Sequence, residues 1–496
     1  MKAIRKWTIL LHRYLGIVLG LFVLVWFLSG IAMIYAGGMP ELTPELRLER
    51  MPPIDFARVH LTPTDALARA GLTRPGQIIL FTILDRPAYR IGTREPTTVF
   101  ADNGEVLEEA GPEQVVAIAS RFSGASTDRI HKVGVLTSAD QWTLLLRGLL
   151  PLHKLAVDDA ERTELYVSPW RGEVVLQTTR SSRMLAWAAA IPHWLYLTPL
   201  RVHDLAWRRV VLWTSGAGIV LTLAGLVLGV IQFSPAKPFR LGKVGSYNPY
   251  AGWMRWHYVL GLVFGIFTLT WVFSGLLSME PWFWVAREGV GAGLEEALSG
   301  GPLDAATYPV EETGRLNAAL PSHQIKEVEL LRIQGEPYYL VRDSRSSVLL
   351  RADTLEVQTA PFSIDSIMAR IAESNPGAGV REFSLLPQYD SYYYARNRRP
   401  PLPALRIKFD DPAGTWLYVD QGTSRLVASF TRQERLERWL YHGLHSLDFS
   451  FWYYNRPLWD AGVIALCLGG AASSGIGLYL GLKRVLKGSR NLASRN

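Results

Sequence analysis

Two histidines, His12 and His257, each open a long uncharged segment, and the two segments are copies of one another. Residues 12–30 and 257–275 are identical at ten of nineteen positions, at a constant separation of 245 residues. Glycine follows each histidine at +4, +8 and +18. In an α-helix, those glycines lie on or close to the face below the histidine. A histidine above such a groove, present twice, is suited to holding a flat metal macrocycle between two helices.

The glycines nearest the two histidines are Gly16, Gly20, Gly261 and Gly265. The same small-residue spacing is also typical of helix packing in membranes, and a histidine at a helix end can simply lie among lipid head groups. The repetition favours a functional role, because ionisable residues in membrane helices are costly and are usually functional. We therefore predict that these four glycines and two histidines contact a haem.

Four apolar runs divide the 496-residue chain, which is 49% hydrophobic. They cover roughly residues 14–35, 210–233, 258–278 and 459–482. Each run reaches about 20 residues, the length that a helix needs to cross a bilayer. The first run is too long for the apolar part of a signal peptide and recurs later in the chain, so we expect it to be retained.

The net charge of +8 is concentrated beside these runs and does not indicate nucleic-acid binding. Basic residues cluster before the first run, between the second and third runs, and after the fourth: Lys2, Arg5, Lys6 and Arg13; Lys237, Arg240, Lys243 and Arg255; Lys483, Arg484, Lys487, Arg490 and Arg495. The positive-inside rule places all three clusters in the cytoplasm. Both termini are then cytoplasmic, and both large segments between spans lie outside.

The large segments also repeat. LYVSPWRGEVV at 165–175 is similar to LYVDQGTSRLV at 417–427, a separation of 252 residues. Both sequences are typical of a strand, a turn and a second strand. At the same separation His193 corresponds to His445. The whole chain is therefore predicted to be a tandem duplication.

Several of these motifs together resemble the PepSY-associated transmembrane family of bacterial inner-membrane proteins. They are the LYVD strand pair, RWLYHGLHSLDF at 438–449, RPLWD at 456–460, and the HRYLG and HYVLG openings of the first and third spans. The first half departs from the pattern, since it has PHWLY at 192–196 and hence one histidine where the second half has two. Some members resemble ferric-siderophore reductases with two b-type haems, whereas the PepSY name is also linked to peptidase inhibition.

The resemblance and the repeat together predict a membrane α-helical four-helix bundle with two periplasmic α+β PepSY-like domains, formed by tandem internal duplication. The predicted limits are 1–36 for transmembrane helix 1, 37–182 for periplasmic domain 1, 183–207 for an interfacial helix, 208–233 for transmembrane helix 2, 234–256 for a cytoplasmic loop, 257–280 for transmembrane helix 3, 281–432 for periplasmic domain 2, 433–456 for a second interfacial helix, 457–482 for transmembrane helix 4 and 483–496 for a cytoplasmic tail.

The predicted topology assigns the ten histidines of the chain to the cytoplasmic or the outer side of the membrane. Only His12 and His257 lie at cytoplasmic helix ends, so an inner haem must use both. On the outer side, His193 can pair with its repeat equivalent His445, or with His442, which shares a helix face with His445. We leave both alternatives open, with His442 also able to bond a haem carboxylate.

The predicted cofactor is haem b, two per chain, each held by two histidines. The only cysteine is Cys467 and the chain has no CxxCH motif, so covalent haem attachment is excluded. Imidazole is a suitable ligand for iron, whereas structural zinc usually has four protein ligands, often including cysteine. The chain has no dinucleotide or phosphate-loop motif, so electrons must come from a separate donor, a flavoprotein or a quinol.

The aromatic and basic stretch 387–406 is a candidate substrate surface. Its contact residues would be Tyr392, Tyr393, Arg396, Arg398 and Arg399, facing an anionic ferric complex. The alternative is a structural, tyrosine-rich segment followed by a basic loop.

The function predicted from the sequence is an inner-membrane di-haem b enzyme. It would move electrons across the membrane to reduce ferric iron, as a ferric-siderophore complex, in the periplasm. The alternative is a non-redox PepSY-type membrane protein that binds or regulates a periplasmic partner. For the di-haem enzyme, the predicted partners are the lipid bilayer, the ferric substrate and the separate electron donor, with no nucleic acid.

Overall fold

A computed structural model describes residues 2–93, 96–235, 239–241, 244–281, 293–374, 379–396 and 399–493. Its helices are α1 Lys2–Ala36, α2 Pro44–Arg50, α3 Pro63–Arg69, α4 Pro112–Ser123, α5 Arg180–Ala188, α6 Ala190–Trp194, α7 Thr198–Arg201, α8 Asp204–Gln232, α9 Gly252–Leu277, α10 Leu294–Ser299, α11 Val310–Ala319, α12 Ile364–Ser374, α13 Arg432–Arg438, α14 Leu444–Ser446, α15 Ser450–Tyr453 and α16 Leu458–Ala493. A π-helical turn, Trp439–Gly443, joins α13 to α14.

The strands are β1 Ile78–Ile83, β2 Arg86–Ile91, β3 Thr97–Phe100, β4 Ile130–Leu136, β5 Leu152–Val157, β6 Glu164–Ser168, β7 Glu173–Thr178, β8 Phe239–Leu241, β9 Val244–Ser246, β10 Glu327–Ile333, β11 Glu336–Arg342, β12 Ser347–Arg351, β13 Val380–Leu386, β14 Ala404–Phe409, β15 Trp416–Asp420 and β16 Arg425–Phe430. The chain divides into two compact units. One contains residues 1–39, 184–286 and 433–496, and the other contains residues 40–183 and 287–432.

Four helices of the first unit, α1, α8, α9 and α16, are long and apolar enough to cross a membrane. Their apolar runs form helices because lipid offers the backbone no hydrogen-bond partner. α1 and α9 each pack against both α8 and α16. These bounds extend the predicted spans: the second begins at Asp204 rather than 208, the third at Gly252 rather than 257, and α16 continues to Ala493.

Close helix approach depends on glycine at matching places in the two halves. A Cβ at Gly481 would lie 2.9 Å from Ile17, and one at Gly229 would lie 2.5 Å from Leu262. These contacts join α16 to α1 and α8 to α9. Ile17 and Leu262 are 245 residues apart, and the two glycines are 252 residues apart. The same packing contact therefore recurs at the separations of the sequence repeat.

The segments expected as single interfacial helices are each broken into short helices. After α5, Ala189 leaves the helical region and α6 begins, with Pro192 in its first turn, where the missing N–H costs no hydrogen bond. In the other half, the π-helical turn carries the chain from α13 into α14. In each half, the short helix that carries the histidine ends at a leucine with positive φ, Leu195 after α6 and Leu447 after α14.

The second unit is built on three antiparallel sheets. A six-stranded sheet has the order β12-β11-β10-β1-β2-β3, so each half of the chain supplies three strands. The segments that we expected as two domains thus share one sheet. The turns after β1 and β10 are 250 residues apart. At that separation Ile79 corresponds to Glu329, and these two residues face each other across the β1–β10 pairing.

The other two sheets of this unit have four strands each, β4-β5-β6-β7 and β13-β14-β15-β16. Helix α4 packs on the first sheet through Val115 and Ala119, and α12 packs on the second through Ile367 and Ile371. The strands alternate between buried and less buried positions, as expected for sheets with one face on a core.

Candidate functional site: two facing histidine pairs

The inner pair consists of His12 on α1 and His257 on α9, which lie in different helices yet face each other. Their ring centroids are 6.0 Å apart and their planes are inclined by 37°. A metal–imidazole bond of about 2 Å on each side, plus the ring radii, gives a centroid separation of roughly 6 Å when one ion lies between two imidazoles. The spacing of this pair therefore leaves room for one metal ion that both imidazoles would hold.

Each inner histidine is oriented by a backbone carbonyl of a neighbouring helix. His12 Nδ1 lies 3.0 Å from the carbonyl oxygen of Leu221, and His257 Nδ1 lies 3.0 Å from that of Ser473. A carbonyl oxygen only accepts hydrogen bonds, so Nδ1 must carry the proton in both rings. The lone pair is then on Nε2, the atom that binds a metal.

Glycine gives the histidines access to these carbonyls. The amide four residues after a helical carbonyl is its hydrogen-bond partner, and those residues are Gly225 and Gly477. A Cβ at Gly225 would lie 2.7 Å from His12 Cε1, and one at Gly477 would lie 2.8 Å from His257 Cε1. Any larger residue would therefore push the imidazole away. Sequence reasoning missed both glycines, although GLVLG at 225–229 and GLYLG at 477–481 repeat at the separation of 252.

A cavity of about 670 Å³ surrounds the inner pair. Its lining includes both histidines and all four glycines predicted from the sequence, Gly16, Gly20, Gly261 and Gly265. A Cβ at Gly16 or Gly261 would lie 3.7 Å from its nearest neighbour, an ordinary contact, so close helix packing does not require glycine at these two positions. Gly265 serves packing instead, because a Cβ there would lie 2.8 Å from Leu226. The volume is in the usual range for cofactor pockets.

The rim of the cavity is basic on one side. Arg5, Arg13 and Arg484 line it, and Arg5 donates a hydrogen bond of 3.2 Å to the buried Gln232 side chain. The positions equivalent to Arg5 and Arg13, 245 residues later, are Tyr250 and Tyr258, which also line the cavity. Carboxylates of a ligand would meet cations from both halves of the chain, Arg5 and Arg13 on α1 and Arg484 on α16.

The outer pair consists of His193 on α6 and His445 on α14. Their ring centroids are 5.9 Å apart, with planes inclined by 73°. His193 Nδ1 lies 3.1 Å from Ser29 Oγ, and His445 Nδ1 lies 3.0 Å from Ser274 Oγ. The two serines belong to α1 and α9, the same helices that carry the inner histidines.

The serine hydroxyls fix the outer histidines in the same tautomer as the inner ones. Ser29 Oγ donates to the carbonyl of Val25 at 2.7 Å, and Ser274 Oγ donates to that of Trp271 at 3.0 Å. Since each hydroxyl has one hydrogen, its oxygen is left to accept from Nδ1–H of the histidine. Burial lowers the pKa of His193 to about 4, so its ring is neutral, as a metal ligand must be.

Among the residues that the structure describes, no further protein ligand joins these pairs. Within the described ranges there is no group of three or more His, Cys, Asp or Glu side chains placed to hold a metal. Two ligands on opposite sides of an ion leave its remaining positions to a non-protein group. The indole Nε1 of Trp271 is also buried without an acceptor in the described part of the chain, one helical turn before Ser274.

A comparison of the sequence with protein families matches the profile of the PepSY-associated TM region over residues 9–484. The chain belongs to this family. The match includes both histidine pairs, all of α8 and α9, and most of α1 and α16. No curated protein matches the chain with significant similarity.

In this PepSY-associated protein, the structure favours His445 over His442 as the partner of His193. The ring facing His193 is that of His445, whereas the ring centroid of His442 lies 4.6 Å from that of Tyr441. His203 caps the start of α8 and is exposed. His323 is half-buried and pairs with Asp343 at 2.6 Å, a structural role in the second unit.

The candidate substrate stretch contains residues of two kinds. Tyr393 is 2% exposed, stacks on Tyr418 at 4.9 Å and donates to the carbonyl of Pro401. Tyr392 packs edge-on against Trp416. For these tyrosines the structural alternative is favoured, because strand β15 uses them to complete a core. Arg396 and Arg399 are exposed, and Arg398 lies outside the described residues.

Proposed function

We propose that this protein is a di-haem b electron carrier of the bacterial inner membrane that reduces ferric iron, as a ferric-siderophore complex, in the periplasm. The inner haem would be held by His12 and His257, and the outer haem by His193 and His445. The observation that carries the proposal is that two pairs of imidazoles face each other at 6.0 and 5.9 Å, with Nδ1 engaged in all four rings.

The residues present fit a haem in both chemistry and space. The neutral imidazoles of each pair would hold the haem through Nε2, and the haem would supply reversible one-electron transfer. Around the inner pair the chain provides a glycine-lined cavity of about 670 Å³. At its rim, Arg5, Arg13 and Arg484 would neutralise carboxylates of the bound group.

Two sites are needed because the membrane is thick. His12 and Ser29 are 17 residues apart on α1, as are His257 and Ser274 on α9. At 1.5 Å per residue, the inner and outer sites are about 25 Å apart along these helices. Apolar and aromatic side chains fill the space between, including Phe27 and Trp271, whose rings meet at 5.7 Å. These side chains exclude water between the sites.

A tandem duplication that forms a four-helix bundle explains why the sites come in pairs. The contacts of His12 with Leu221 and of His193 with Ser29 recur in the second half at separations of 245 and 252 residues. We propose that the termini and the 234–256 loop are cytoplasmic, as their basic residues indicate. Arg208, a cation at the opposite membrane face, is engaged locally, since it donates to the carbonyls of Met279 and Glu280 at the end of α9.

The donor and the acceptor would both be separate molecules. Electrons would enter from a flavoprotein or a quinol, because the sequence has no nucleotide-binding motif of its own. A ferric complex is the acceptor that the family resemblance suggests. Reduction would weaken chelation, because hard oxygen ligands hold ferric iron more tightly than ferrous iron.

The proposal is tested by mixing dithionite-reduced, detergent-purified protein with a ferric hydroxamate siderophore and a colorimetric ferrous chelator. We expect the protein to reoxidise as the ferrous chelate forms, in a ratio of one electron per iron. A His193→Ala variant should reoxidise far more slowly, whereas the exposed His203→Ala serves as the matched control and should react like the wild type. A protein that stays reduced in the presence of every ferric chelate tried would contradict ferric reduction.

A further inference from the structure

The end of the helical bundle that carries His12 and His257 has one sign of charge. We call it the inner end and define it by residues 1–13, 234–257 and 481–496. These three segments contain thirteen lysine and arginine residues and no aspartate or glutamate. The structure describes seven of the basic side chains, of which Arg13 is half-buried and the other six are exposed: Arg5, Lys6, Arg13, Arg255, Lys483, Arg484 and Lys487. The inner end is therefore a basic surface without an acidic side chain of its own.

The opposite end of the same unit differs, because several of its arginines are paired with carboxylates. All six acidic residues of the unit lie at that end. They form three ion pairs there: Arg201–Asp204, Arg438–Asp448 and Arg456–Asp460. A partner would gain little from cations that are already neutralised, whereas the segments of the inner end supply no acidic side chain to neutralise theirs.

Membrane insertion alone does not explain the lack of acidic residues at the inner end. The positive-inside rule concerns lysine and arginine, and acidic residues contribute little to it. Aspartate and glutamate in these segments would therefore be compatible with the same topology. Thirteen cations without one acidic residue produce a positive potential over the inner end, and such a potential attracts anionic partners from solution.

The cavity around the inner histidine pair opens at this same end. The exposed residues in its lining are Arg5, Met254 and Arg484, and Met254 is 40% exposed. All three belong to the inner end. An opening towards lipid would leave exposed lining residues farther along the spans, and the other lining residues are half-buried or buried. The site between His12 and His257 is therefore approached from water, through the basic surface.

We propose that the inner end binds a small acidic flavoprotein, which is the electron donor. The assignment, which rests on the proposed function, selects the flavoprotein over the quinol, since a quinol would approach from the lipid. Acidic side chains around the flavin would contact exposed cations that do not line the cavity, including Lys6, Lys483 and Lys487. One electron would pass from the reduced flavin to the metal held by His12 and His257. The flavin is oxidised, the metal is reduced, and no bond forms or breaks.

Binding is tested with flavodoxin, an acidic protein that carries flavin mononucleotide. The full haem-loaded chain is placed in nanodiscs of phosphatidylcholine, which has no net charge. Labelled flavodoxin should bind saturably at about 50 mM salt and about tenfold more weakly at about 300 mM salt, because salt screens the attraction. The variant Lys6→Glu/Lys483→Glu/Lys487→Glu should bind about tenfold more weakly than the wild type at low salt.

The matched control is Arg74→Glu/Lys132→Glu/Arg381→Glu. It makes the same change in net charge at three exposed positions of the second unit. We expect it to bind flavodoxin like the wild type. Both triple variants should keep the haem content and the dithionite-reduced spectrum of the wild type, which shows that they are folded and loaded.

Electron transfer is measured by mixing reduced flavodoxin with the oxidised protein in the absence of oxygen. Visible absorption follows the reduction. The rate at low salt should fall about tenfold in the variant of Lys6, Lys483 and Lys487, because charge at a docking surface acts mainly on the rate of association. The rate of the control variant should equal that of the wild type.

Three results would overturn the proposal. The first is no saturable binding of flavodoxin at low salt up to about 1 mM, where a specific site should be occupied. The second is faster reduction by decylubiquinol in the same nanodiscs, at a rate that the three substitutions at the inner end do not change. The third is loss of co-purified phosphatidylglycerol from that variant with flavodoxin binding unchanged, since the cations would then serve anionic lipid.

These results would leave the proposed function standing, because dithionite bypasses the natural donor. The proposed function fails instead if the protein is colourless, or if the dithionite-reduced protein is not reoxidised by any ferric chelate. Binding of flavodoxin is measured without reference to either result.

Discussion

The inner and outer histidine pairs have nearly the same ring spacing, 6.0 and 5.9 Å, but they are held in different ways. In the inner pair the spans carry the histidines, and carbonyls of neighbouring spans orient them. In the outer pair the spans carry serines, and the histidines come from short helices outside the spans. Helices α1 and α9 therefore contribute to both pairs. They carry the histidines of the inner pair, and they carry the serines that accept hydrogen bonds from the histidines of the outer pair.

The difference determines which substitutions each site can tolerate. A backbone carbonyl cannot be removed by substitution, so the inner site is sensitive instead to replacement of Gly225 and Gly477, which give the histidines access to the carbonyls. A serine hydroxyl can be removed by substitution, so the outer site is sensitive to replacement of Ser29 or Ser274.

Removal of one ligand should empty one site and spare the other. We expect His12→Ala and His193→Ala each to lose about half of the haem, because each removes one axial ligand of a different pair. Haem per chain by pyridine haemochrome is the measurement, with His60→Ala as the control. Loss of all haem from either single variant would mean that the two sites are not independent.

The outer histidine of the second half depends on a buried ion pair that the first half lacks. Arg438 donates to Asp448 Oδ1 at 2.8 Å, and the carboxylate is fully buried, whereas the equivalent residues in the first half are Ala186 and Tyr196. Arg438→Met should destabilise the protein by about 3 kcal/mol, because it leaves a buried charge unpaired.

Thermal unfolding in detergent measures this loss, and the outer haem should be released first. The double variant Arg438→Met/Asp448→Leu should recover much of the stability, since neither charge remains. A double variant as unstable as the single one would show that the pair acts through its packing alone.

Added methyl groups should distinguish the two pairs. Gly225→Ala or Gly477→Ala places a Cβ at 2.7 or 2.8 Å from an inner histidine and should weaken inner haem binding about 10- to 100-fold. Gly30→Ala and Gly275→Ala are the matched controls at the outer pair. Their Cβ atoms would lie 3.6 and 3.8 Å from His193 and His445, an ordinary contact, so haem retention should stay near that of the wild type.

Loss of a serine hydroxyl should give the smallest effect and only at the outer pair. Ser29→Ala and Ser274→Ala each remove the acceptor for Nδ1–H, which should lower outer haem affinity about tenfold. A potentiometric titration should show one of two potentials shifted and the other unchanged. A shift of the inner potential instead would reverse our assignment of the serines.

Much of the inner site could be predicted from the sequence, because the repeat around His12 and His257 is local. Gly16 and Gly261 border the cavity, as their spacing indicated. Ser29 and Ser274 stand inside the same repeat, next to glycines that we noted, but serine in an apolar run ordinarily bonds its own helix. Nothing local shows that a distant histidine will share that hydroxyl.

Like the inner site, the fold could be predicted where the sequence pattern is local. Apolar run length determined the four membrane helices, and strand patterns indicated the small sheets. The pairing of β1 with β10 was not predictable, because strands some 250 residues apart choose partners through tertiary packing. The choice between His442 and His445 was likewise not predictable from the sequence. A π-helical turn precedes His445 and changes which face of the helix each histidine occupies.

The most direct measurement of the central claim is the visible spectrum of detergent-purified protein from haem-replete cells, oxidised by air and then reduced by dithionite, with haem counted per chain. Two facing imidazole pairs predict a low-spin b-type spectrum and two haems per chain. A colourless protein, or one haem that survives the His12→Ala/His193→Ala double variant unchanged, would contradict the assignment of these pairs as haem ligands.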